Sequence, residues 1–377
     1  MKLAFCLNYY FPFGGLQRDF LRIAMVCQSR GHSINVYTMH WEGDRPEGFA
    51  INIVKPRGLT NHARSRDFAR QVMAQLAVSK CDLIVGFSRM PGLDVYYAAD
   101  SCYREKVLSN RPLLSRFGGR FRIYSAMERA VFAAESKTEI LLIAEAEKAK
   151  FMRHYETPEE RFHLLPPGIE KDRVAPLDAP EIRQALRSEF GLNSEDFMLL
   201  LIGSRFRTKG VDRAIKALSA LPQRLKERAG LYIVGQDKPD SYIHLARRLG
   251  VENNVYFLGG RPDIPRFLLG ADLLVHPAYI ENTGTVLIEA IAAGLPVLAS
   301  KVCGYAGYIE RAGAGKLIPQ PFQQETMNDQ LVTMLDWKVL AGWQSNALNY
   351  AKSADIFSLP EKAADLIESA GRRKMSC

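Results

Sequence analysis

The chain has 377 residues, 50 Lys and Arg against 41 Asp and Glu, a formal net charge of +9 and an apolar fraction of 47%. That length exceeds one ordinary core and suits two domains, and no uninterrupted apolar run approaches the roughly 20 residues that cross a bilayer. Composition argues against a membrane-spanning chain, a low-complexity chain and a disulfide-built scaffold, and Asn8 interrupts the start before a signal-peptide core can form, so the expected location is the cytosol.

The first half alternates β-branched or aromatic runs with helical patterns, the pattern of βαβ units and parallel sheets. The predicted strands are "KLAFCLNYY", "INVYTMH", "INIVKP", "DLIVGF", "VYYAAD" and "EILLIA". Between the first two, Leu16, Phe20, Ile23 and Cys27 recur at helical spacing and Gly31 ends the helix. Pro166, Pro167 and Gly168 can continue neither a helix nor a central strand and mark a linker. The second half repeats the plan with "FMLLLIG", "LYIVG", "VYFLGG", "DLLVHPA", "PVLAS" and "GKLIP".

The expected fold class is therefore α/β, two Rossmann-like doubly wound domains facing each other across a cleft. The first spans 1–167 and the second 168–354, and a helix of about 355–371, started by Pro360, returns to pack on the first. Six scattered cysteines, with no C-x-x-C and no His at ligand spacing, read as reduced thiols rather than a zinc site. The positive charge fits an anionic partner such as nucleic acid, anionic lipid or a phosphorylated substrate, or serves solubility alone.

Open α/β sheets bind ligands beyond the carboxyl ends of their strands. There the first domain carries Gly14 and Gly15, which form either a plain turn or a backbone contact to phosphate. Asp19 follows one turn into the helix, as a solvated carboxylate or a hydrogen-bond acceptor. The equivalent loop of the second domain, "GSRFRTKGVD", crowds Arg205, Arg207 and Lys209 before a helix starting near Val211, a concentration of cations that suits a diphosphate.

The segment "YIENTGTVLIEA" sets Glu281 and Glu289 on either side of an Asn282, Thr283, Gly284 corner. Turn and cap chemistry there predicts a loop at Glu281, a helix starting near Gly284 or Thr285, and Glu289 in its early turns. Backbone N–H groups of Thr283, Gly284 and Thr285 would face an anion, with a carboxylate on each side.

The run from "NVYFLGGRPDIPRFLL" to "VCGYAGYIERAGAG", with "FPFGGLQRDF", "WEGD", "MPGLDVYYAAD", "LLPPGI", "VGQDKP" and "SLPEKAADLI", resembles the retaining family-4 glycosyltransferases of the GT-B fold, whose signature is E-x7-E before a Gly-Pro-Val element. Within that family the pattern is similar to the enzymes that extend the inner-core heptose of lipopolysaccharide. The resemblance implies a hexosyltransferase that moves glucose, or alternatively N-acetylgalactosamine, from a UDP-sugar to that heptose with retention.

It implies Glu281 at the donor sugar, Glu289 at the ribose, and Thr283, Gly284 and Thr285 at the diphosphate, with Asn282 beside the sugar. Lys209 matches the diphosphate-binding lysine, and Arg205, Arg207 or Arg173 completes the clamp. Gly15 and Gln17 join the donor set, Arg261 meets the nucleobase, Asp100 lies near the reacting sugar and Asp19 near the acceptor hydroxyl. No metal or other cofactor is expected, because no D-x-D motif follows a strand, and front-face attack is favoured over a covalent intermediate.

Residues 103–132 hold Arg104, Lys106, Arg111, Arg116, Arg120, Arg122 and Arg129 against Glu105 and Glu128, with Phe117, Phe121 and Tyr124 at helical spacing. The segment suits either an interfacial helix on an anionic membrane or a basic surface helix packed on its sheet. With a lipopolysaccharide acceptor, peripheral attachment to the inner face of the bacterial inner membrane and a monomeric state are expected. Competing classes are a nucleotide-sugar epimerase, a phosphorylase, a dinucleotide-dependent dehydrogenase, disfavoured by the missing G-x-G-x-x-G, and a nucleic-acid binder, for which no module is present.

Overall fold

The computed structural model describes residues 1–12, 14–110, 112 and 116–376, so Phe13, Arg111, Leu113, Leu114, Ser115 and Cys377 lie outside the described residues. Two compact units emerge: Met1–Gly168 with Phe357–Cys377, and Ile169–Ile356.

The first unit runs β1 (Lys2–Cys6), β2 (Tyr9–Tyr10), α1 (Gly15–Ser29), β3 (Ser33–Thr38), β4 (His40–Trp41), β5 (Phe49–Ile53), α2 (Asn61–Ser79), β6 (Leu83–Gly86), β7 (Val95–Ala98), α3 (Tyr103–Asn110), α4 (Gly119–Phe132), β8 (Glu139–Leu142), α5 (Glu145–Tyr155) and β9 (Phe162–Leu164). Its seven-stranded sheet has the order β5-β3-β1-β6-β7-β8-β9, and every pair in it is parallel. A parallel sheet covered on both faces needs strands that are apolar throughout. In β1, Leu3 and Phe5 pack with Phe20 and Ile23 of α1, while Ala4 and Cys6 face the opposite core with Phe68 and Val72 of α2. The C-terminal helix Leu359–Met375 joins the α1 side through Ala363 and Ile367, and Arg30 to Asp365 at 2.8 Å fixes its rim.

The second unit runs α6 (Ala179–Glu189), β10 (Phe197–Ile202), α7 (Phe206–Lys209), α8 (Val211–Ser219), α9 (Gln223–Lys226), β11 (Ala229–Val234), α10 (Asp240–Arg248), β12 (Val255–Phe257), α11 (Ile264–Gly270), β13 (Leu273–His276), α12 (Thr285–Ala292), β14 (Val297–Ser300), α13 (Ala306–Ala312), β15 (Gly315–Ile318), α14 (Gln324–Met334) and α15 (Trp337–Ser353). Its sheet order is β12-β11-β10-β13-β14-β15, again parallel. Leu199 and Leu201 pack under α8, and Met198 and Leu200 under α11 and α12.

In each unit the chain leaves its first long strand toward one side and later returns on the other. The switch lies between β1 and β6 in the first unit and between β10 and β13 in the second. Such switch points open a crevice at the strands' carboxyl ends, and the glycine loop, the basic loop and the Glu281 loop all start there.

The basic segment departs from a single interfacial helix. It is broken into α3 and α4, with Gly118 at the N-cap of the second. Tyr124 meets the Tyr103 ring edge-on at 5.4 Å, and Phe121 lies tilted 6.2 Å from it, so both aromatics lie half-buried against α3. Phe117 lies outside α4 and is 75% exposed. Glu128 is fully buried and accepts from the backbone N–H of Tyr103 at 2.7 Å and of Arg104 at 3.0 Å, tying α4 to the start of α3.

Candidate active site

In the second unit β10 ends into Gly203, Ser204 and Arg205, whose φ of 61° turns the chain into α7. The basic stretch is therefore one turn of helix rather than an open loop, because Asp237 accepts the Phe206 N–H at 2.7 Å and caps it. Gly210, at φ 78°, then redirects the chain into α8, and a Cβ there would run into the Pro277 carbonyl. That close approach brings the end of α7 against the segment leaving β13. Arg205 and Arg207 are exposed, and neither forms an ion pair with a described residue.

The Lys209 ammonium contacts the Glu281 carboxylate, and the buried His276 Nε2 lies 3.3 Å from the same oxygen. Burial raises the pKa of Glu281, but the His276 hydrogen bond and the Lys209 charge outweigh it and hold the group at about 2. Burial pushes His276 down, so the imidazole is neutral and its Nε2–H donates. Position 281 thus carries a fixed carboxylate charge with a cation in contact.

Gly284, at φ 80°, caps α12, and no side chain accepts from the helix's first turn. The amides there face outward with the positive end of the helix dipole, an arrangement suited to phosphate oxygens. Asn282, Thr283 and Thr285 flank this corner half-buried, and the Thr283 carbonyl accepts from Tyr305 N at 2.8 Å, which fixes the turn. Glu289 is buried in the second turn of α12, with Arg173 Nε 3.4 Å from its Oε1. Arg173 rides on a short turn, Lys171–Arg173. Arg261 makes a two-pronged pair with Asp263, both contacts at 2.9 Å, on the loop after β12.

In the first unit Gly15 opens α1 with nothing within 4 Å of where a Cβ would sit, whereas Gly14 is hemmed in by Gln17 and Phe11. Gln17 turns back to donate to the Tyr9 carbonyl at 3.1 Å. Asp19 accepts from Tyr97 of β7 at 2.7 Å. Burial lifts its pKa to about 6, against the lowering effect of that hydrogen bond, Arg18 and Arg22. Asp100 follows β7, and its exposed side chain borders a cavity of about 350 Å³.

Two residues went unnoticed in the sequence. His276 hides at the end of the apolar strand "DLLVHPA", where its signal is a titratable side chain in a fully buried run. Arg213 is buried on α8, its guanidinium 3.5 Å from the Tyr279 ring centre and 3.6 Å from that of Phe322, and it donates to the Pro277 and Ala278 carbonyls at 3.1 Å. It braces the segment that carries Glu281.

Residues 182–352, within the second unit, match the family model for glycosyl transferases group 1. The chain is 48% identical over 368 residues to the lipopolysaccharide glucosyltransferase WaaG of Escherichia coli K12, covering 97% of this chain and 98% of that one. This chain belongs to the group 1 glycosyltransferases. The crystal structure of WaaG superposes on this glycosyltransferase with a TM-score of 0.90 at 47% identity, over 97% of this chain and 99% of the other. HepE of Anabaena, crystallised with UDP-glucose, shares the GT-B fold at a TM-score of 0.73 and 22% identity, over 98% of this chain and all of that one. The protein is thus a GT-B glycosyltransferase.

Proposed function

We propose that this glycosyltransferase moves glucose from UDP-glucose to an inner-core heptose of lipopolysaccharide, with retention of the α configuration. The observation that carries the reading is the pairing of Lys209 with Glu281 beside the uncapped start of α12, with Arg173 and Glu289 on the same helix. The 48% identity, over 97% of the chain, to a lipopolysaccharide glucosyltransferase supports glucose as the sugar and lipopolysaccharide as the acceptor class.

On this reading the diphosphate lies on the amides of Thr283, Gly284 and Thr285. Lys209 exchanges its Glu281 partner for phosphate oxygen, and Arg205 or Arg173 completes the clamp. Glu281, left charged, accepts from hydroxyls of the glucose, and Glu289 from those of the ribose. Asn282 lies beside the glucose and Arg261 near the base, and the first unit takes the acceptor at Asp100 and Asp19.

The acceptor oxygen forms a bond to the anomeric carbon as the bond from that carbon to the phosphate oxygen breaks. The acceptor proton passes to the departing diphosphate on the same face. Fixed cations and amides stabilise the charge that grows on UDP, the kind of preorganised field that often supplies most of a rate enhancement. Those cations make a divalent metal unnecessary in this scheme.

No helix of the described residues is long and apolar enough to cross a membrane. The exposed Phe117, next to Arg120 and Arg122, supports peripheral attachment to an anionic surface, and flotation with anionic and neutral vesicles separates this from no attachment. The transfer itself is tested by incubating the protein with a panel of UDP-sugars and heptose-terminated lipopolysaccharide core. Mass spectrometry should find one added hexose from UDP-glucose, and no transfer from any UDP-sugar would defeat the reading.

A further inference from the structure

The polar cavity of about 350 Å³ beside Asp100 lies wholly within the first unit, at the carboxyl ends of β1, β6 and β7. Its size is that of a small-ligand site. Ser88, Ser101 and the Asp100 carboxylate offer hydroxyl-binding groups, and Tyr103 and Tyr124, edge to face at 5.4 Å, give it an aromatic wall. Hydroxyl binders beside an aromatic face suit a sugar ring.

The charges point further. Lys106 and Arg120 line the same cavity, and neither forms an ion pair with a described residue. Arg120 instead lies over the Tyr124 ring, 5.8 Å from its centre. Deeper in, Arg89 is bound to the buried Glu128 at 2.6 Å and to the carbonyls of Asp100 and Ser101 at 3.0 and 2.8 Å. Its Nε is nevertheless buried without a hydrogen-bond partner. Among the described lining residues Asp100 is the one carboxylate, against Lys106 and Arg120, since the charge of Arg89 is already met by Glu128. A neutral sugar would leave one net positive charge of the cavity without a direct partner, whereas a phosphate or carboxylate oxygen would meet it through charge-assisted hydrogen bonds.

We infer that this cavity recognises an anionic sugar of the acceptor, its phosphate or carboxylate held by Lys106 and Arg120 while Asp100 and the two serines bind its hydroxyls. The inference rests on the proposed function only for the assignment of the cavity to the acceptor. The sugar binding itself needs no donor and no turnover.

The test is calorimetric titration of the full-length protein, without UDP-sugar, by heptose-terminated core oligosaccharide. The oligosaccharide is used native, after phosphatase, after carboxyl reduction, and after both treatments. The native form should bind at least tenfold more tightly than the doubly treated one. The single treatment that removes the difference identifies the anion as phosphate or carboxylate. Lys106→Gln with Arg120→Gln should weaken native binding about 10- to 100-fold and leave binding of the doubly treated form unchanged. Both side chains are exposed, so an unchanged melting temperature is expected alongside. Equal affinity for native and doubly treated oligosaccharide, or a variant that binds like the wild type, would overturn the inference. So would a variant that loses anionic-vesicle binding while keeping its oligosaccharide affinity. Charge-dependent binding without transfer from any UDP-sugar would leave this inference standing and count against the proposed function alone.

Discussion

His276 and Glu281 lie five positions apart and share one interaction, the imidazole Nε2 at 3.3 Å from the carboxylate oxygen that the Lys209 ammonium also contacts. The imidazole is fully buried at the end of β13, so it holds the carboxylate in place from below while Lys209 meets it from α7. Leaving a buried polar group short of a partner costs about 1–3 kcal/mol. His276→Ala is therefore expected to lower kcat/KM for donor about 5- to 100-fold, and His276→Gln, which keeps a donor, to recover much of it. Steady-state kinetics with UDP-glucose as the varied substrate makes the comparison.

Asp19 gives a pH dependence of opposite sense to the one Glu281 gives. Its folded-state pKa is raised from 3.8 to about 6, mainly by burial, so the fold binds this proton more tightly than the unfolded chain does. Stability from this group is present at pH below about 4 and is lost as pH rises through 6. Asp19→Asn should melt higher than the wild type at pH 7 and equally at pH 4. If the ionised carboxylate orients the acceptor hydroxyl, the wild-type pH profile of kcat/KM rises through about pH 6 and the variant's lacks that limb.

Arg213 is expected to matter through position alone. Arg213→Met removes two ring contacts and the donors to the Pro277 and Ala278 carbonyls, a loss of about 2–4 kcal/mol. The melting temperature should fall by about 5–15 °C. UDP affinity should fall as well, since Glu281 and the corner at Gly284 follow the braced segment in the chain. Calorimetry reads the first effect and UDP titration the second.

Because fixed cations supply the countercharge in the proposed scheme, chelation should not matter. Turnover measured with EDTA and with added magnesium or manganese is expected to agree within twofold. A loss of activity on chelation that manganese restores would show that a metal carries part of the charge assigned to Lys209.

Much of this was legible in the sequence because parallel strands buried on both faces are written as continuous apolar runs. Each of the twelve runs singled out there contains a strand. The three-residue edge strand Phe162–Leu164 was missed, and the runs ending at Tyr10 and His40 were not seen to break off the separate pair Tyr9–Tyr10 and His40–Trp41, because segments that short carry no period. The corner at Gly284 was readable since Asn-Thr-Gly before an apolar helix has few other uses. The turn of helix at Phe206–Lys209 was not, because its cap, Asp237, comes from a loop after a different strand. Arg213 and His276 were hidden for a related reason. Their partners are brought to them by the fold, and a single Arg or His in an apolar run gives no direction of its own. In the basic segment the spacing of Phe121 and Tyr124 was read correctly as helical, and both rings lie against Tyr103 of the neighbouring helix, a partner the spacing did not show.

The most direct test of the account is the equilibrium affinity of UDP for the wild type and for Lys209→Met, measured by calorimetry at the same ionic strength. If the diphosphate lies at the start of α12 with Lys209 on its oxygens, the variant loses a charge-assisted contact of about 1.5–3 kcal/mol and binds UDP about 10- to 100-fold more weakly. A variant that binds UDP as tightly as the wild type would contradict the placement of the donor at this helix.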